Sequence, residues 1–538
     1  MNFKFALALL CLVMSFASLS AQNFDIDWGE EFDSKTEVQK ILGYSGDKMV
    51  VYSIKGKKRY FGTYSSEGFE QLSFNEFELP KINGKKTGLL NLALTGGEVS
   101  AVIYVYEKST KAFTLFVQRF NLKGGPDGQA RKIYASEGSK SRSKNMKVEM
   151  VFSPNQNMAL VYFDRENKDR TECFSDVVVM DISGDKLEKV SESTHQFAIK
   201  DYRSEQIRYR LHHAVEDDGT FSIIREKARF VPTVKASFVL SVGRYDQSGA
   251  EIGVVDLEKD DLALLTPTLI VQDNKVVVVG YYLNEASKKS TVVGYSGLFY
   301  AEMSLEMELK AIKVNPFSDE FMKNIFSERR VENARAKDRD LFVPEAYTMR
   351  KIIVHADGTL TVLSEFYMVT VTTSNGSKIT TTNYGPILFF KLDNDGKLTG
   401  GDAIKKSQVS SAVAPAIGFN GAISVFVSVE FPDKLRKYWS FASMADNGNV
   451  YILFNDHFKN ALDDQGEVSK NMKNPKQSVP YLVTIYPNGT FKKRAMVNSG
   501  DSETYTVPQV TYRNSEVGFI IWGIWRKMNK FGQAKIGR

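Results

Sequence analysis

In the segment ILFFKLDNDGKLTG (387–400), Asp393, Asn394 and Asp395 set three side-chain oxygens in succession ahead of Gly396. Oxygen-rich loops bind calcium, but an EF-hand type loop needs ligands at alternate positions, Gly at the sixth and a bidentate Glu at the twelfth. Here the acids are consecutive, the glycine comes fourth, and Lys397 follows. Three related segments, LSVGRYDQSGAEIG (240–253), HAVEDDGTFSI (213–223) and YLVTIYPNGTFKK (481–493), keep the glycine while the acids come and go. A glycine after Asn or Asp takes the positive φ of a tight hairpin. Gly219, Gly249, Gly358, Gly396, Gly448 and Gly489 are therefore expected to close hairpins, and no metal is assigned.

Other reactive side chains form no stronger pattern. The five histidines are His195, His212, His213, His355 and His457, none in HExxH or another zinc spacing. On a strand, the adjacent His212 and His213 would point to opposite sheet faces. Glu216, Asp217 and Asp218 precede a turn, and Glu258, Asp260 and Asp261 flank Lys259; both runs read as surface acids. There is no GxSxG elbow and no GxxxxGK[ST] loop, and GYSG (294–297) reads as a tight strand connection. Cys173, in TECFSDVVVM, reads as a small buried side chain. Trp28, Trp439, Trp522 and Trp525 are too dispersed for a sugar-stacking ladder. No catalytic, cofactor-binding or metal-ligating residue is assigned, and no cofactor is expected.

The elements that would position any site are almost all strands from residue 48 onward. KMVVYSIKGKKRYFGTYS, VSAVIYVYEKSTKAFTLFVQRFNLKG and TLIVQDNKVVVVGYYLNEASKKSTVVGYSGLFYAEMSL alternate, or run apolar between turn residues, and are rich in β-branched and aromatic side chains. The units repeat in pattern and not in exact sequence, seven or eight of them at about 65–75 residues each. Repetition over this length favours an all-β propeller, with seven blades preferred and eight allowed; two tandem sandwiches are the alternative. GFIIWGIWRKMNKFG near the C-terminus is expected to close the ring with N-terminal residues such as FDIDWGEEF. Two stretches interrupt the strands. Residues 316–345 carry a helix start at Ser318, with Phe317, Phe321, Ile325 and Phe326 along one face, and residues 454–479 are polar and loop-like. Both are expected as insertions, and read either as simple loop decoration or as binding surfaces.

The first 21 residues, MNFKFALALLCLVMSFASLSA, read as a secretory signal cleaved after Ala21, which leaves residues 22–538 as a single propeller domain. Cys11 lies inside the apolar run, too early for a lipoprotein signal. No later run approaches the roughly 18 apolar residues of a spanning helix. Of the two cysteines only Cys173 would remain, so packing and not a disulfide must hold the exported fold. A net charge of +6, from 70 basic and 64 acidic residues spread along the chain, gives no nucleic-acid footprint.

The signal ending SLSAQ, and units such as ADGTLTVLSEFYMVTVT (356–372) followed by NYGPILFFKLDNDGKL (383–398), resemble large exported propeller-like proteins of Bacteroidota. The resemblance covers about residues 40–520 and supplies no catalytic residues. It extends in size and strand-rich character to accessory proteins of outer-membrane machines, including one that plugs the type 9 secretion translocon. It implies a non-catalytic periplasmic scaffold, associated with an outer-membrane or periplasmic complex such as a secretion channel. The alternative expectation is a carbohydrate- or peptide-acting enzyme, or a ligand-binding propeller, with a central pocket.

Overall fold

In the computed structural model, eight four-stranded antiparallel meanders stand around an axis. It describes residues 23–534 apart from 25, 34, 111, 137–146, 156, 167–171, 183–187, 199–205, 231–237, 273, 285–293, 338–340, 375–376, 416–437, 462–469, 497–504, 515–517 and 526–527. The expected signal at 1–21 lies outside these residues. Seven blades occupy 36–77, 88–135, 147–198, 206–257, 263–316, 347–404 and 441–496. The eighth takes three strands from 505–534 and its outermost strand, Ile26–Phe32, from the other end of the chain. The ring is thus closed by terminal strands, as the apolar C-terminal run suggests, and it has eight blades, the larger of the two expected counts.

The second strand of blade 5, Lys275–Leu283, is buried on both faces, which is why KVVVVGYYL is apolar after its first residue. The two-residue period of a strand then deals its side chains to opposite neighbours. Val276 and Val278 pack with blade 4, while Val277 and Val279 pack with blade 6. Eight such apolar clusters exist among the described residues, one for each pair of adjacent blades, including the pair formed by blades 8 and 1. Fully burying each Val or Phe contributes about 1.5–3 kcal/mol.

The closure has a polar fastener. Asn529 Nδ2 donates to the carbonyls of Asp33 (2.6 Å) and Thr36 (2.7 Å), and its Oδ1 accepts from Trp522 Nε1 at 3.1 Å. One buried amide therefore joins the last blade to the chain entering the first.

The recurring glycine motif is a single hairpin turn. In blade 6, Asp393 N–H donates to the Lys397 carbonyl (3.0 Å) and Gly396 N–H to the Asp393 carbonyl (2.9 Å). The same pair of bonds forms at Asn121–Gly125, Asp246–Ala250 and Tyr486–Thr490 between third and fourth strands, and at Glu216–Thr220 and His355–Thr359 between first and second strands. All six expected glycines have positive φ, between 75° and 90°. Blade 5 builds the same turn at Ser304–Glu308 with Met307 at φ 67°, so there the motif leaves no glycine in the sequence.

Candidate interaction face

Meander topology sorts the connections. Those joining first to second and third to fourth strands lie on one side of the ring, and these include the tight turns just described. The connections from second to third strand, and from one blade to the next, lie on the other side, and these carry the long excursions. Between blades 5 and 6 run α1 (Asp319–Ile325) and α2 (Glu328–Ala336). Ser318 caps α1 as its sequence suggests, its Oγ accepting from Phe321 N–H at 3.2 Å. Phe321 and Met322 are buried against the core of blades 5 and 6, with Phe317, Ile325 and Phe326 packed beside them. The segment is thus anchored on one side, while Arg329, Glu332 and Arg335 of α2 stay exposed.

The stretch 454–479 is only partly the loop expected. Phe454–His457 completes the strand Asn449–His457, and Ser478 already begins the next: Phe454 packs in the interblade core and the other four side chains are buried, where a loop would leave polar backbone unpaired. Between them lie 3-10 turns at Phe458–Ala461 and Pro475–Gln477. GYSG (294–297) is likewise more than a turn: Gly294–Tyr295 pairs with Val343–Pro344 across the two connections.

Another excursion is in blade 6. Its second and third strands, Leu360–Ser374 and Ser377–Leu392, run on past the sheet as a hairpin, and Gln408–Pro415 adds a third strand to that extension. A buried ionic cluster sits at its base. Glu365 is fully buried; its Oε1 accepts from Lys406 Nζ (2.8 Å), and its Oε2 accepts from Arg350 Nε (3.1 Å) and Ser440 Oγ (2.7 Å). Gln408 Oε1 accepts from Lys406 Nζ (3.0 Å) and Ser440 N–H (2.8 Å), while its Nε2 donates to the Asn455 carbonyl. Asn455 Nδ2 reaches the carbonyls of Tyr438 and Thr506. Burial pulls the Lys406 ammonium below its ordinary value, against the opposing pull of Glu365. Six side chains, from blade 6, the segment that leaves it and blade 7, are thereby interlocked.

Several of the acids singled out in the sequence are engaged. Asp393 Oδ1 accepts the amides of Asp395 (3.1 Å) and Lys397 (2.8 Å), so the DNDG acid caps its own turn. From blade 5, Asn315 Nδ2 donates to the Gly396 carbonyl at 2.9 Å. Among the described residues no three His, Cys, Asp or Glu side chains are grouped to hold a metal ion. Glu216 is not a surface acid, as its run suggested: Arg244 Nε and Nη2 grip it at 3.0 and 2.8 Å, and burial, the largest cause, raises its pKa. Asp218 caps its turn through Thr220, whereas Asp260 and Asp261 lie exposed. Asp176 is held by Arg165 Nε (2.8 Å) and Thr194 Oγ1 (2.8 Å).

His212 and His213 do diverge, to Glu226 (3.2 Å) and to Ser175 Oγ (2.8 Å) respectively. Ser175, His213 and Asp164 come together, but Ser175 Oγ donates to Asp164 (2.8 Å), and the His side chain does not stand between the two as a nucleophilic triad requires. Ser175 is fully buried, as is the His213 side chain, stacked on Tyr162 at 3.7 Å. His195 is held at about 4 by burial and is neutral at pH 7. Cys173 is buried, and so are Trp439 and Trp522.

The strands lining the axis contribute cations. Lys40, on the first strand of blade 1, donates to Asn91 Oδ1 and the Leu92 carbonyl, both at 3.0 Å. Lys351 and Arg513 occupy the first strands of blades 6 and 8. Burial holds both lysines at about 8. Arg513 is exposed at its surface, and desolvation also lowers its pKa.

No family model matches the chain, and no curated protein matches it. Solved structures with a similar arrangement include the Dos1 propeller, at 8% identity and TM-score 0.36 over 95% of this chain and 96% of that one. An uncharacterized protein, lmo1340 of Listeria monocytogenes EGD-e, aligns at 10% identity and TM-score 0.33 over 93% and 96%. The α-L-arabinofuranosidase Arb93A of Fusarium graminearum aligns at 11% identity and TM-score 0.26 over 64% and 92%. These likenesses concern the propeller fold alone.

Proposed function

We propose that the protein is a non-catalytic interaction scaffold: a rigid ring that presents one elaborated face to a protein partner. The observation that carries this reading is the asymmetry of the connections. The α1–α2 pair, the blade 7 insertion and the three-stranded projection all belong to the side of the long connections, and two of them are tied into the ring by buried packing or buried charge. Rigid scaffolds place recognition on such connections. Three interior carboxylates support the same reading, because Glu365, Asp176 and Glu216 are each held by a cation: Lys406, Arg165 and Arg244 respectively.

The reading places the protein in the periplasm, docked on an outer-membrane complex and acting there as a plug or regulator of a protein-secretion channel. Support for the compartment is the signal-like N-terminus, and support for the complex is the resemblance of the strand units. Among the described residues no helix is long and apolar enough to cross a membrane.

Site-specific photo-crosslinking tests the face. A photoreactive residue in place of Arg329 on α2, or of Phe458 in the blade 7 insertion, should crosslink a partner protein in native envelopes. One in place of Asp395, on the tight-turn side, should not. Equal crosslinking from both sides, or none from either, would defeat the proposal.

A further inference from the structure

Resting on the scaffold reading, we propose that the projection of blade 6 binds its partner by strand addition: an extended, uncharged segment of another polypeptide pairs with the free edge of 368–374.

The edge follows from the register. The first strand of blade 6, Tyr347–Val354, covers its neighbour only as far as Tyr347 opposite Phe366, and the Tyr367 amide takes the Ala346 carbonyl at 2.8 Å. Beyond that point, 368–374 pairs among the described residues on one side alone, with 377–383. Backbone groups alternate sides along a strand. Because the Tyr367 amide points to the Ala346 side, the N–H and C=O groups of Val369, Val371 and Thr373 point that way too. Among the described residues they meet no backbone partner. Those of Met368, Thr370 and Thr372 face the paired strand.

Edge strands in soluble proteins are normally blunted by Lys, Pro, bulges or a cover. From Phe366 to Ser377 there is no charged residue and no proline, and the register between Tyr367 and Ser374 is regular. Met368, Val369 and Val371 are 42%, 42% and 50% exposed, although they are apolar. The buried cluster of Glu365, Lys406, Arg350 and Ser440 fixes the base, so the edge is presented in a set orientation.

The chemistry selects the occupant. Outward donors and acceptors that recur every second residue are satisfied by an extended backbone and not by a helix or a side-chain surface. With Val369 and Val371 on one face and Met368, Thr370 and Thr372 on the other, the fitting strand alternates β-branched apolar and hydroxyl residues. A second copy of the chain fits less well, since this single edge falls far short of the roughly 20–30 residues a side of a stable interface.

The test uses the full-length exported protein and a labelled synthetic probe, Lys-Thr-Val-Thr-Val-Thr-Val-Thr-Lys. Two further probes carry N-methyl groups on alternate amides, one set on each edge. The proposal expects saturable binding, lost at least tenfold when one edge is methylated and retained when the other is. Val371→Pro removes an outward N–H without breaking a hairpin bond, and should weaken binding at least tenfold with an unchanged melting temperature. Val371→Thr keeps the backbone and should bind within threefold of wild type. Hydrogen exchange of the free protein should be faster at Val369 and Val371 than at Thr370 and Thr372.

Absent binding, equal loss from both methylated probes, full binding by Val371→Pro, or protected Val369 and Val371 amides in the free protein would each overturn the proposal. So would a dimer that Val371→Pro dissolves, which would make a second copy the occupant. If Val371→Pro still captures the same envelope partner as wild type, the scaffold reading stands and strand addition falls. If no partner crosslinks from this face although the probe binds, the scaffold reading fails separately.

Discussion

Removing one partner from the buried pair at the base of the projection should be far more damaging than removing both. Glu365 and Lys406 are fully buried at 2.8 Å, so either alone would be a charge stranded away from water. Breaking such a pair costs about 3–5 kcal/mol, whereas replacing both members by apolar groups of similar volume is often neutral. Lys406→Met leaves Glu365 with Arg350 and Ser440 on Oε2, and should fall near the lower end of that range. Glu365→Leu strands Lys406 fully and Arg350 in part, and should fall near the upper end. The double variant should lose less than the sum of the singles by at least about 2 kcal/mol, the signature of direct coupling. Eight blades need not unfold in one step. Urea unfolding should therefore be paired with hydrogen exchange across 377–392, where protection should drop first. Single variants within about 0.5 kcal/mol of wild type, as surface changes are, or a strictly additive double variant, would refute the reasoning.

Four further outcomes are expected. Gly396→Val puts a Cβ at φ 77° and 2.2 Å from the Tyr300 ring, whereas Gly489→Val, at φ 83°, meets nothing within 4 Å. Backbone strain alone costs about 1–3 kcal/mol, so the Gly489 variant should show only that, and the Gly396 variant clearly more, by thermal denaturation. Asn529→Ala should loosen the ring closure by about 1–3 kcal/mol, the cost of buried groups left unpaired, seen as faster exchange in Ile26–Phe32. Lys40 and Lys351 hold their protons less tightly when folded, at about 8 against 10.5. Between those values the unfolded chain binds more protons, so stability should rise with pH above about 8 until the tyrosines titrate. Lys351→Met should flatten that rise in melting temperature. His195, at about 4 against 6.5 by burial, should make stability fall as pH drops through that window, and His195→Asn should reduce the loss.

The sequence discloses what local chemistry determines. Turn glycines need positive φ wherever they occur, so the six glycines are readable without coordinates. The apolar C-terminal run is readable as a closing element because a strand buried on both faces has no polar positions to spare. Blade count is harder to read, since blade 8 is assembled from both ends of the chain and blade 5 replaces its turn glycine with Met307. The ionic cluster is harder still. Lys406 and Glu365 lie 41 positions apart, and Ser440 and Glu365 lie 75 apart, so no spacing announces them. Glu216 reads as one more turn acid until the strand carrying Arg244 is folded beside it. The free edge is hidden for a related reason: 368–374 reads as an ordinary strand, and only the early end of its neighbour at Tyr347 exposes it.

The central claim, that one face of the ring recruits a protein partner, is tested most directly by measuring the mass of complexes affinity-purified from native envelopes. Wild type should be compared with an Arg329→Glu/Glu332→Arg variant on the long-connection face and an Asp395→Lys variant on the tight-turn face. The account predicts a stoichiometric envelope protein with wild type and Asp395→Lys, depleted at least several-fold with the α2 variant at unchanged melting temperature. Recovery of the protein alone, or equal partner recovery by all three, would contradict it.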